Sequence, residues 1–208
     1  ECKQFLQREP DVITINGINE TYVTDENTAS EKRKVAREKI TEILNILSGT
    51  KASDDAFYIL NSGRYEFKNK GIDLFINALG KLNKSAELNK EIVAVIAVPA
   101  NISGIYKELE YRREGKKPIE GHTDLPCTHH IFGYEYDAVL NSLRENGLNN
   151  NSEDKVKVMF VPSYLNGNDG VFNLKYNDFL YAFDLTVFPS YYEPWGYTPM
   201  ESIAHGIP

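Results

Sequence analysis

One run of nine residues, Glu91-Ile92-Val93-Ala94-Val95-Ile96-Ala97-Val98-Pro99, limits the fold more than any other stretch of the chain. A strand with one wet face alternates apolar and polar residues, and this run does not. Both of its faces must therefore be buried, as in a parallel sheet covered by helices on either side. Ala56–Leu60, Val156–Val161 and Asp184–Phe188 predict further strands. Between them, apolar stripes at helical spacing predict helices over Gly71–Leu82 (Ile72, Phe75, Ile76, Leu79), Tyr136–Leu148, Tyr176–Ala182 and Thr198–His205. Upstream, Val35, Ile40, Ile43, Leu44 and Leu47 mark a long helix that opens on a Thr28/Glu31 capping box and stops at Gly49. Asp11–Gly17 predicts a short strand closed by an Asn-Gly turn, and the polar stretch Asn101–Glu120 predicts a short helix and a loop. Strands alternating with helices at this spacing specify an α/β fold with a doubly wound, mostly parallel sheet.

The length of 208 residues suits one large domain or two small ones. No apolar run approaches the ~20 residues that cross a bilayer, and the N-terminus lacks the apolar core of a signal peptide. The absent initiator Met suggests a piece of a longer protein, and a chain halting at Gly206-Ile207-Pro208, where a strand normally follows, suggests at least one missing βα unit. A net charge of −7 disfavours a nucleic-acid partner, which requires a basic face. Cys2 and Cys127 read as ordinary reduced thiols. The histidines, with only His129-His130 adjacent, form no zinc pattern, because neighbouring side chains point apart.

In an open α/β sheet, ligands bind beyond the carboxyl ends of the strands. Two loops carry suitable residues there. In Asn61–Gly71, the side chains of Arg64, Lys68 and Lys70 precede a helix, where fixed charge, helix dipole and free N–H groups would meet a phosphate together; the plainer alternative is a solvated basic loop with Glu66 as partner. In Ser190-Tyr191-Tyr192-Glu193-Pro194-Trp195-Gly196-Tyr197-Thr198-Pro199-Met200-Glu201, Pro199 suits a first helical turn, and Gly196 lets backbone approach a ligand. Three roles fit Glu193 and Glu201. They form a glycosidase pair flanking one bond; or Glu201 serves the helix dipole while Trp195 and the tyrosines pack; or both carboxylates accept hydrogen bonds from sugar hydroxyls while N–H groups hold the phosphate between the sugars.

The stretches GRYEFKNKGIDLFINALGKLN (Gly63–Asn83) and VFPSYYEPWGYTPMES (Val187–Ser202) closely resemble the glycogen synthases of the eukaryotic type, which are retaining glycosyltransferases. Shorter matches in the same order cover Ile13–Asn19, Leu125–His130 and Asp154–Asn166. The resemblance implies the GT-B architecture, two Rossmann-like domains facing across a cleft. Residues 1–208 would be a single donor-binding domain, incomplete at its C-terminal end, with the N-terminal acceptor domain absent. It further implies a cytoplasmic enzyme that moves glucose from UDP-glucose to the 4-hydroxyl of an α-1,4-glucan with retention, without metal or other cofactor, partnered by glycogen and by no nucleic acid or membrane, and compatible with a homo-oligomer in the full-length protein. The alternatives are a related nucleotide-sugar transferase and a non-catalytic sugar-nucleotide or glucan-binding module.

By the same resemblance Arg64 and Lys70 match the cations on the donor phosphates, Glu193 the carboxylate at the donor glucose, Glu201 the ribose ligand and Tyr176 the aromatic against uracil. Thr198, with the N–H groups of Gly196 and Tyr197, matches the phosphate cradle, and Trp195 the support of that turn. The usual mechanism passes the acceptor's proton to the leaving phosphate oxygen, which leaves Glu193 an orienting group and not a nucleophile. The chain departs from the family pattern at Ser163, where Glu is usual, and Leu125, where Pro is usual. Without the other domain it is expected to show little or no transferase activity.

Overall fold

All six residues of the central strand Ile92–Ala97 are buried, and parallel strands flank it on both sides. The computed structural model describes residues 2–19, 25–116 and 126–208. In chain order the elements are α1 (Cys2–Leu6), α2 (Glu26–Ser48), β1 (Phe57–Ser62), α3 (Ile72–Asn83), β2 (Ile92–Ala97), β3 (Ile102–Ile105), α4 (Lys107–Arg113), β4 (His129–Ile131), α5 (Ala138–Glu145), β5 (Val156–Phe160), α6 (Tyr176–Leu180), β6 (Leu185–Thr186) and α7 (Tyr197–Ala204). The main sheet has the order β5-β2-β1-β6, all parallel. Alternate side chains feed two cores. Tyr58, Leu60, Val93, Val95 and Met159 pack with Ile40, Leu44 and Phe179 on one face, and Ile59, Ala94, Ile96 and Val158 pack with Ile76, Val139 and Leu143 on the other. The doubly wound α/β expectation is met, and its cause is the one inferred from β2: both faces exclude water.

The last strand keeps only Leu185–Thr186 of the expected Asp184–Phe188, and three further stretches differ from the sequence expectation. The cap of α2 is Asp25, whose carboxylate accepts the Thr28 N–H at 3.0 Å, so Thr28 sits inside the first turn and does not open the helix. Asp11–Gly17 forms no strand, and Val12, Ile13 and Ile15 are 75 %, 80 % and 88 % exposed. β-branched residues favour extended backbone only where a neighbouring strand and a packed face reward it. Within Asn101–Glu120, residues 102–105 pair antiparallel with β4 before α4 begins; residues 117–120 lie outside the described residues, as do His122 and Leu125. Among the described residues no helix is long and apolar enough to cross a membrane.

The amino ends of β1 and β6 are locked to α2 through one carboxylate. Asp184 pairs with Arg33, accepts from Arg37 Nη2 at 2.7 Å, and accepts the Tyr58 N–H at 2.9 Å. Both arginines also donate to carbonyls in the turn after α6: Arg37 Nε to Ala182 at 2.7 Å and Arg33 to Phe183 at 3.1 Å. The Arg37 guanidinium lies 4.3 Å from the centre of the Tyr58 ring. Asp184→Ala strands two half-buried cations and a backbone donor, and it should lower unfolding free energy by about 2 kcal/mol in urea titration. An unchanged urea midpoint would show that this cluster is decoration on the surface.

Candidate functional site

In chain order the parallel strands stack third, second, first, fourth, so successive connections leave β1 and β6 in opposite directions. Between the carboxyl ends of these two strands a crevice opens, the switch point of a doubly wound sheet. A cavity of about 600 Å³ occupies it. Asn61, Ser62, Arg64 and Lys70 line it from the loop after β1, and Phe188, Ser190, Glu193, Tyr197 and Thr198 line it from the loop after β6 and the start of α7. Ser163, Tyr164 and Asn166, beyond β5, and Tyr176 of α6 close it. A second cavity of about 320 Å³, next to the paired strands β3 and β4, shares Ser163, Tyr164 and Asn166 with the first.

The two site loops are clamped together. Asn61 Nδ2 donates to the Val187 carbonyl at 2.8 Å, the Tyr191 N–H donates to the Asn69 carbonyl at 2.9 Å, and Lys70 forms an ion pair with Glu193. Gly71, at φ 63°, begins α3 so close to the other loop that a Cβ there would lie 2.0 Å from the Pro189 carbonyl oxygen. Tyr65 anchors the first loop from behind, its hydroxyl donating to Asp137 at 2.7 Å and accepting the Val139 N–H at 3.2 Å. Burial and the Asp137 bond push that phenol above its ordinary pKa.

Free N–H groups for an anion are expected at the starts of both helices, and only one of the two keeps them. At the start of α3 the Ile72 and Asp73 N–H groups already donate to the Phe67 carbonyl, and those of Lys70 and Gly71 to Glu66 and Lys68. Asp73, in the first turn, also takes Lys68 as its partner at 2.8 Å. The start of α7 is different. Among the described residues, the N–H groups of Gly196, Tyr197 and Thr198 meet no acceptor, and Pro199 has none to offer. With φ at 77°, Gly196 turns the backbone into the helix, and a Cβ at this position would lie 3.2 Å from Glu193 Cγ, so the glycine lets Glu193 tuck under the turn. Trp195 meets the Tyr197 ring edge to face at 6.4 Å, outside the cavity lining.

The remaining expected site residues divide. Arg64 reaches the cavity but is 75 % exposed, paired with Glu66 at 2.9 Å. Glu193 lies in the cavity and Glu201 does not line it, so the two carboxylates do not face each other across one bond. Glu201 is half-buried, accepts no hydrogen bond through its carboxylate among the described residues, and has its pKa raised by burial. Tyr176 bonds Ser62 Oγ at 2.7 Å; burial raises its phenol pKa, the Ser62 bond opposes this, and the Glu201 charge adds to it. Asn61, Ser62 and the Gly71–Pro189 contact escape a sequence reading, since each depends on what faces it across the crevice; their position at strand ends was the available signal. No cluster of three His, Cys, Asp or Glu side chains among the described residues is placed to hold a metal ion. His129 is buried between Thr128 and Asp169, its imidazolium form disfavoured by that burial, while His130 is exposed.

A model of the glycogen synthase family matches residues 1–109 and 120–208. The chain belongs to the glycogen synthase family. It is 31 % identical to the glycogen [starch] synthase of Caenorhabditis elegans, with all of the chain and 39 % of that protein aligned. Against isoform 2 of Saccharomyces cerevisiae it is 31 % identical over 38 % of the relative, and against the Mus musculus liver enzyme 28 % over 37 %. The chain thus spans less than two thirds of these glycogen synthases. Both clamped loops fall inside the matched segments.

Gly71→Ala should be costly, because it combines a left-handed backbone with overlap on a carbonyl oxygen. A loss of about 3 kcal/mol is expected in urea unfolding, and the first site loop should gain hydrogen exchange. A wild-type midpoint would mean that the loops are not in contact.

Proposed function

We propose that this chain is the donor-nucleotide domain of a cytoplasmic glycogen synthase, moving glucose from UDP-glucose to the 4-hydroxyl of an α-glucan with retention. What carries this proposal is the open N-terminus of α7, three free N–H groups beside Lys70 and Glu193 at the β1/β6 switch point. Such a cradle fits a diphosphate. Arg64 leaves Glu66 at little cost, since an exposed ion pair is worth about 0–1 kcal/mol. Lys70 pairs with Glu193 and gains a second anion when the diphosphate arrives.

In the transfer, the anomeric carbon–oxygen bond to the diphosphate breaks and a bond to the acceptor oxygen forms on the same face. The acceptor proton passes to the leaving phosphate oxygen. Negative charge grows on that oxygen as the bond breaks, and Arg64, once released from Glu66, stabilises it together with Lys70 and the N–H groups of Gly196, Tyr197 and Thr198. Glu193 orients the sugar and stabilises positive charge at its anomeric carbon. Tyr176, held by Ser62, supports the base, Trp195 braces the Gly196–Thr198 turn, and Glu201 accepts from the ribose hydroxyls. No metal ion or other cofactor has a part in this scheme.

Calorimetric titration with UDP tests the phosphate assignment. Lys70→Ala should weaken UDP by about 10- to 100-fold, the worth of a charge-assisted hydrogen bond, and Arg64→Ala by a smaller factor. Equal affinities for wild type and both variants would remove the phosphate site from this crevice.

Glu201→Gln should act with opposite signs on binding and folding. Because burial raises the Glu201 pKa, between its ordinary and raised values the folded chain holds more protons than the unfolded one, and stability falls as pH rises through that window. At neutral pH the ionised carboxylate therefore opposes folding, and the amide should raise the urea midpoint of the empty chain while weakening UDP several-fold. A lower midpoint together with unchanged UDP affinity would assign Glu201 a purely structural role.

A further inference from the structure

Asn61 ends β1 at the floor of the crevice, only 2 % exposed and still lining the cavity. Its amide is half satisfied. Nδ2 donates to the Val187 carbonyl at 2.8 Å, whereas Oδ1, also buried, receives no hydrogen bond among the described residues. Exchanging the amide oxygen and nitrogen would set two carbonyl oxygens against each other and strand the NH₂ group, so the contact with Val187 settles the orientation. The unmet group is the acceptor. Leaving one buried costs about 1–3 kcal/mol, and its neighbour on the same face of the strand, Ile59, shows that an apolar side chain packs there.

An unmet acceptor selects its partner by chemistry. At neutral pH a diphosphate presents only oxygens without protons, and such an oxygen beside Oδ1 would be repelled. The partner must carry an O–H or N–H group. Side chains alternate along β1, so Asn61 leaves on the face shared with α3, the helix that Lys70 precedes. Ser62 leaves on the other face and holds Tyr176, the residue proposed for the base. Asn61 is thus on the side of the Lys70–Glu193 pair, where the sugar is expected, and the groups with protons to give there are sugar hydroxyls.

We propose that Asn61 Oδ1 accepts a hydrogen bond from one hydroxyl of the hexose, making Asn61 a determinant of nucleotide sugar over bare nucleotide. This rests on the nucleotide-sugar function proposed above.

The test titrates the chain by calorimetry with UDP, with UDP-glucose, and with UDP-deoxyglucoses each lacking one hydroxyl. One deoxy donor should bind wild type about tenfold more weakly than UDP-glucose. On Asn61→Ala that same donor and UDP-glucose should bind alike, and the loss for UDP, through the missing Val187 tie, should be smaller than the loss for UDP-glucose. Asn61→Leu, which also lacks an acceptor and keeps the volume, replaces the alanine variant if that does not fold. A flat deoxy series on wild type overturns the proposal without any variant. So does a deoxy penalty that persists in the variants, or a loss of UDP affinity in them as large as the loss for UDP-glucose. Failure of wild type to bind UDP at all would instead remove the nucleotide function itself, and the Asn61 assignment with it.

Discussion

The candidate site depends on one close approach between two stretches of backbone. Gly71, at the start of α3, abuts the Pro189 carbonyl at a distance that excludes any side chain, and the Tyr191–Asn69 and Asn61–Val187 hydrogen bonds tie the same two loops on either side of that contact. Residues separated by more than a hundred positions are held as one rim. The Lys70–Glu193 pair forms across it, and Tyr197 and Thr198, whose N–H groups meet no acceptor among the described residues, line the same cavity. Without the contact, only two hydrogen bonds and one ion pair among the described residues would join the loops.

The opposite end of the sheet supplies the rigidity this rim needs. Asp184, shared by Arg33, Arg37 and the Tyr58 N–H, fixes α2 against β1 and the loop into β6. Both site loops leave these same two strands from their carboxyl ends. The crevice is therefore framed by β1 and β6, braced at one end by ionic and carbonyl contacts and at the other by backbone packing. Parallel pairing makes this division of labour available, since every strand delivers its following loop to the same side of the sheet.

Much of the fold was legible because burial leaves a direct trace in composition. Ile92–Ala97 announced a strand covered on both faces, and the stripe Ile72, Phe75, Ile76, Leu79 announced the helix beside it. Legibility failed where a local signal lacked a tertiary reward. Val12, Ile13 and Ile15 have the side chains of a strand and no strand to pair with among the described residues, and Ile102–Ile105 became a strand with a glycine and a serine in it because β4 lies alongside. In the site, the charged and aromatic residues were visible as an unusual crowd. Which helix keeps its N–H groups free was not, since Phe67 silences one helix start while Gly196 leaves the other open.

By itself the sequence determined the fold class, the family and the two loops that carry the chemistry, because hydrophobic pattern and residue type express themselves without reference to distant partners. Tertiary structure alone decided that Lys70 meets Glu193, that Glu201 stands apart from it, that Tyr176 is held by Ser62, and that Asn61 keeps one acceptor unmet under the cavity. Each of these depends on how the two crossover connections bring the ends of β1 and β6 side by side, and hydrogen-bond satisfaction is a property of that meeting and not of either segment.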